Sequence, residues 1–260
     1  MPPYRGRCEK NADLIVKNGN FFNKMIEKAL EKVEKFFQND SQFYQKQFKV
    51  IKNIPGANRI FERISNSNNE EQINDYLNEI RYILIFKGLE FDIDKIEPWG
   101  KVGPDLEISR DGHRIIIEIM RFRKMYPGPP EFDISMEYIS EYGNIQRDVT
   151  KAMKKIYNKF FQINKDNEES VIVIWNDDED IEETHVKTAV NILKDNAAKN
   201  AIKIPNGLLF IIYGSKWVSC ASKQQLYCFP VKNINQPYQK WINEINSSVV
   251  NNLVTRAMYF

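Results

Sequence analysis

The sequence predicts a mixed α/β fold in which one sheet carries helices on both faces, preceded by a helical N-terminal region. Three observations predict it. Period-two alternation on either side of an Asp-Gly turn marks a hairpin near 105–120. Two almost unbroken apolar runs, ESVIVIW (169–175) and GLLFIIYG (207–214), fit strands covered on both faces. Amphipathic helical stretches lie before and between them.

Residues 21–37, FFNKMIEKALEKVEKFF, place Phe22, Met25, Ile26, Ala29, Leu30 and Val33 at helical spacing with Lys and Glu between. A poorer helix covers roughly 41–50, and the polar cluster SNSNN (65–69) reads as a break. Residues 70–87 form a helix on the stripe Ile73, Tyr76, Leu77, Ile80 and Leu84, with Gly88 at the place of a C-terminal cap. LEFDIDKIE (89–97) alternates as a strand. DLEIS (105–109) and RIIIEIM (114–120) are two more, joined by the turn RDGH (110–113).

Residues 121–140, with three prolines within four positions, form a long loop before a helix at about 141–162. After the strand at 169–175 come a helix at 182–199 and the strand at 207–214. QLYCFPV (225–231) is an edge strand, because Pro230 cannot donate to a ladder. One more helix fills 236–260. The expected domains are thus a helical region (1–69), a core (70–235) and a C-terminal helix (236–260) packed on the core.

At 260 residues the chain can bury a sizeable core. Its formal net charge of +2 excludes a polycation, but residues 1–69 hold 13 Lys/Arg against 7 Asp/Glu, a surplus suited to a polyanion. Three cysteines without a CxxC pair give neither a disulfide framework nor a zinc motif. The N-terminus lacks the apolar core of a signal peptide, and no apolar run approaches a membrane span. These features predict a reduced, cytoplasmic protein without a membrane partner. Nothing matches a Walker A loop, a GxGxxG turn or a GxSxG elbow. His113, His185 and the acidic run DDED (177–180) read as surface features.

The informative stretch is GPDLEISRDGHRIIIEIMRFR (103–123). With Asp111-Gly112 at the turn centre, pairs sum to 223 and Asp105 falls opposite Glu118. Paired residues share a sheet face about 5 Å apart at Cβ, where like charges destabilise unless a cation compensates them. Two carboxylates there suit Mg²⁺, which takes a few carboxylates plus water. The competing explanation is structural, with one acid facing solvent or pairing with Arg114.

The chain resembles the PD-(D/E)xK nuclease superfamily over roughly residues 70–215. Pro104-Asp105 stands at the start of the second strand and Glu118-Ile119-Met120 in the third, within the element order αβββαβ. The hairpin is similar to that of small Holliday-junction-resolvase-like nucleases. The resemblance implies a restriction-endonuclease-like fold, Asp105 and Glu118 as ligands of Mg²⁺ (or Mn²⁺), and hydrolysis of DNA. Glu79 matches the family's helix acid, although its place at the border of the apolar stripe fits solvent exposure equally well.

Met120 departs from the motif, whose lysine positions the attacking water. Three explanations compete: a catalytically inactive relative that binds nucleic acid or a protein, a cation from elsewhere, or catalysis by metal alone. Arg121 and Arg123 alternate with Met120 and face away from it, while Lys101 approaches only if its loop folds over the site. On the helix at 141–162, Gln146 falls inside the apolar face and matches a glutamine of several family branches. A satisfied core glutamine is the other possibility. The far side of that helix, with Arg147, Lys151, Lys154 and Lys155, suits phosphates, as do Lys101, Arg121, Arg123 and Lys124. The expected function is therefore a metal-dependent DNA endonuclease of restriction or repair. Its N-terminal helices would serve DNA binding, target recognition or homodimerisation.

Overall fold

The computed structural model describes residues 6–37, 41–98, 103–122, 143–163, 168–176, 181–214 and 224–259. The chain divides into two compact units, Met1–Tyr82 and Ile83–Phe260. The division falls inside a helix and not at the polar cluster 65–69.

The first unit is helical. It holds α1 (Gly6–Phe36), α2 (Ser41–Ile51), α3 (Ala57–Asn66) and the first part of α4 (Glu70–Gly88). Helix α3 is an element the sequence reading did not separate. Gly56, at φ 91°, makes the left-handed turn that starts it. Its apolar face is Ile60, Phe61 and Ile64, all fully buried, and the Phe61 ring lies 4.9 Å from that of Phe48 on α2.

The second unit is built on one six-stranded mixed sheet in the order β1 (Asp92–Ile96), β2 (Leu106–Arg110), β3 (His113–Phe122), β4 (Ser170–Asn176), β5 (Leu208–Gly214), β6 (Leu226–Pro230). β1, β2 and β3 form an antiparallel meander, β3, β4 and β5 run parallel, and β6 returns antiparallel. The parallel steps need crossovers, which α5 (Gly143–Ile163) and α6 (Glu183–Ala198) supply. β4 and β5 are buried at every residue, so both faces are covered there, and β6 lies at an edge. Pro230 is therefore tolerated.

Met120 and Phe122 of β3, with Ile172, Ile174, Ile211 and Tyr213 of β4 and β5, meet Val149, Met153, Ile156 and Phe160 of α5 and Val186, Val190 and Leu193 of α6. Residues of one parity on β3 thus face α5. The β2–β3 turn has the expected geometry: Asp111 at φ 53° and Gly112 at φ 79° are both left-handed, as a two-residue hairpin turn requires.

That turn is fastened to α7 (Tyr238–Ser247). Trp241 Nε1 donates to Asp111 Oδ2 over 3.3 Å, and Arg110 pairs with Glu244. Tyr238 Oη donates to Glu169, so His113 Nδ1, 2.9 Å from the same oxygen, must be the donor in that contact. His113 is thereby a half-buried joint and not a free surface residue.

Two boundaries differ from expectation. The C-terminal segment is two helices, α7 and α8 (Val250–Tyr259). Between them Ser248 is extended, Val249 bridges to Gln225, and the Val250 amide donates to Gln224. At the end of α4, Gly88 is not the left-handed cap. Glu90 takes that conformation at φ 66°, with Phe91 N–H donating to Phe86 O and Glu90 N–H to Lys87 O. The rings of Phe86 and Phe91 pack 5.7 Å apart over this turn, completing a Schellman motif. A left-handed non-glycine residue costs about 1 kcal/mol. Glu90→Gly should therefore stabilise the second unit by up to about 1 kcal/mol, less the small contribution of the exposed Arg256–Glu90 pair, read as a rise in the urea midpoint. An unchanged or lower midpoint would show that Glu90 is not strained.

Candidate functional site

Asp105 enters the sheet just before β2 and is clamped by its backbone. Its carbonyl accepts from Glu97 N–H at 2.8 Å, and its own N–H donates to Ile117 O at 2.9 Å. Glu97 is buried and left-handed, at φ 48°, a strained geometry that secures this contact from the end of β1. The Asp105 carboxylate accepts from Ile119 N–H at 2.6 Å through Oδ2, taking the place of a ladder carbonyl. Asp105 is thus bonded to both sequence neighbours of Glu118.

The ladder pairs Leu106 with Ile117, Ile108 with Ile115 and Arg110 with His113, the register expected from the turn. Paired side chains end at Leu106, because Asp105 spends its carboxylate on the Ile119 amide. The alternative partner for the acids is excluded by geometry: Arg114 Nε sits 2.6 Å from Glu107 and its guanidinium also meets Glu168.

Glu118 lies on the β3 face that carries Met120, and only 4% of it is exposed. Its Oε1 accepts from Lys159 Nζ on α5, 41 positions away in sequence. Its Oε2 is buried without a hydrogen-bond partner. Burial raises the Glu118 pKa above its ordinary value, and the Lys159 charge and hydrogen bond act against that rise.

Lys159 escaped the sequence reading. Its signal is helical: it stands one turn after Ile156 and one turn before Ile163, both buried, so it borders the face that meets the sheet. Met120, by contrast, is a core residue, 7% exposed among Val149, Met153 and the apolar residues of β4. The Met120 position is thus filled with packing. A cation arrives from the crossover helix.

The remaining expected residues divide. Glu79 belongs to the first unit, where its carboxylate meets Arg63 at 2.8 Å, and Arg63 also lies over the Tyr76 ring. Gln146 is exposed, which corrects its expected burial: it stands in the first turn of α5, before the packed stretch that opens with Asp148 and Val149. Arg121 pairs with Trp175 across the ladder and, an odd number of positions from both Glu118 and Met120, points to the opposite face. No register shift breaks β3 there, so Arg121 does not replace the motif lysine. Lys101, Arg123, Lys124 and the run 177–180 lie outside the described residues.

Among the described residues no three His, Cys, Asp or Glu side chains gather into a metal cluster. The donor set still fits one kind of ion. Glu118 offers a buried, orphaned oxygen, and Asp105 brings a second carboxylate to the Ile119 amide beside it. Mg²⁺ binds through one or two carboxylates and keeps several waters. No described helix is long and apolar enough to cross a membrane. Comparison with protein-family models, with curated proteins and with solved structures returned no match.

Proposed function

We propose that the chain is a metal-dependent endonuclease that hydrolyses phosphodiester bonds in DNA, with restriction or repair as its setting. The observation that carries this reading is the buried Glu118–Lys159 pair joining β3 to α5, with the Asp105 carboxylate, just before β2, bonded to the Ile119 amide next to Glu118. A buried glutamate with one oxygen on a lysine and the other unsatisfied is costly as structure and useful as a site. The order α4, β1, β2, β3, α5, β4 agrees with the αβββαβ core of the superfamily that the hairpin resembles.

In this reading Asp105 and Glu118 hold the divalent ion, which supplies Lewis acidity toward a phosphate oxygen and a more acidic bound water. Asp105 is oriented by the Ile119 amide and by the Glu97–Asp105–Ile117 backbone bonds. Lys159, entering from α5, takes the duty the motif assigns to the Met120 position: orienting the water and stabilising charge that develops on the phosphate. Gln146, at the start of α5, is a supporting candidate.

A second reading has its own observation. The Glu118–Lys159 pair neutralises the acid without any metal, as befits a nuclease fold retained for binding alone. Incubation of the protein with plasmid and linear DNA in Mg²⁺ or Mn²⁺ separates the two. Cleavage that Asp105→Asn and Glu118→Gln each reduce by at least about a thousandfold supports the nuclease. DNA binding with no cleavage under either metal supports the inactive binder and removes the catalytic proposal.

A further inference from the structure

We propose that Lys159 is a built-in counter-cation that competes with the divalent ion for the Glu118 carboxylate, so that loading the site means displacing the lysine. The inference rests on the cation site of the preceding section and adds to it how that site is kept in its empty state.

Glu118 is buried, and a buried carboxylate without a compensating charge is strongly unfavourable. In the protein without metal the compensation comes from Lys159 Nζ on Oε1. Only that oxygen is engaged, and Oε2 is left without a partner. Here the lysine ammonium, a point charge, engages Oε1 alone, whereas an arginine fork would close both oxygens. The carboxylate is therefore half-occupied: neutral enough to stay folded, and still open to a second electrophile.

The lysine has somewhere to go. Its side chain is 24% exposed, against 6% for that of Glu118, so its ammonium reaches solvent when it leaves the acid. Its stem leaves α5 one turn from the buried Ile156 and Ile163, and a long lysine stem can lie along apolar surface while its head reaches water. Two positive charges sharing one buried carboxylate repel each other, so binding of the ion and retention of the ion pair are mutually unfavourable. By linkage, whatever the ion pair contributes to the metal-free fold is subtracted from metal affinity. Release also turns the lysine from a ligand of Glu118 into a cation beside the site, which ties water positioning to metal loading.

The test measures metal binding without DNA. Calorimetric titration with Mn²⁺ is run at mildly alkaline pH, where the uncovered carboxylate stays ionised, on wild type, Lys159→Met and Glu118→Gln. Lys159→Met should bind Mn²⁺ about tenfold more tightly or better, and Glu118→Gln should lose binding. Equal or weaker affinity in Lys159→Met overturns the competition while leaving the cation site intact. Absence of binding in both wild type and Lys159→Met overturns the cation site and this inference with it. A measurement on wild type guards against a poorly folded variant. Acylation of Lys159 by an amine-reactive ester, read by peptide mass spectrometry, should rise severalfold when Mg²⁺ is added. Unchanged or reduced labelling contradicts displacement.

Discussion

Lys159→Met is expected to destabilise the second unit by about 3 kcal/mol at neutral pH, read as a fall in the urea midpoint. The substitution removes the cation that meets Glu118 and leaves a carboxylate in a site only 4% exposed. Breaking one side of a buried pair costs more than the pair contributes, because the remaining charge is uncompensated. The double variant Lys159→Met/Glu118→Gln should recover most of the loss, since neither charge is then present. A single variant as stable as wild type would mean that Glu118 is hydrated and that the pair is an ordinary surface contact.

The pH dependence has a definite sign. Burial already holds the Glu118 pKa above its ordinary 4.5, so the folded protein binds a proton more readily than the unfolded chain. The stability linked to that proton is complete below the unfolded pKa and is lost as pH rises through the folded one. Lys159 is the cause that lowers the folded value, so its removal raises that value further and widens the window. The deficit of Lys159→Met against wild type should therefore be small in acid and grow toward neutrality.

The parts of this fold set by local chemistry were legible in the sequence, and those set by a distant partner were not. An Asp-Gly pair dictates a two-residue turn, which fixes the β2–β3 register and hence the neighbourhood of Asp105 and Glu118. Continuous apolar runs gave β4 and β5 because a strand covered on both faces has no polar side to show. Lys159 was missed because helical periodicity places it on a border. Only its partner on β3, far away in sequence, decides which way it turns. Gln146 was misplaced for the converse reason: periodicity continues to the helix terminus, whereas packing does not. Asp105 was expected to oppose Glu118 as a simple pair, but a carboxylate able to cap an amide does so, and Ile119 N–H was within reach.

Gly88 shows how a residue can be singled out correctly for the wrong reason, and it carries the other large expected effect. Gly88→Ala should destabilise the second unit by about 2 kcal/mol, although alanine is the better helix former by about 1 kcal/mol. A Cβ on Gly88 would lie 2.8 Å from both the C and Cα atoms of Leu253, and closer still to the Leu253 carbonyl oxygen. All three are backbone atoms of α8, so no side-chain rotation relieves the overlap, and α8 must withdraw from the end of α4. That withdrawal loosens Val250, Leu253 and Val254, which are buried. The melting temperature should fall by roughly 4–8 °C for a chain of this size. Gly112→Ala is the informative comparison, because nothing lies within 4 Å of its Cβ and only its φ of 79° opposes the change. Its cost should stay near 1 kcal/mol. A Gly88→Ala variant that melts at or above wild type would show propensity outweighing contact, and would mean that the α4–α8 approach is wider than 2.8 Å allows.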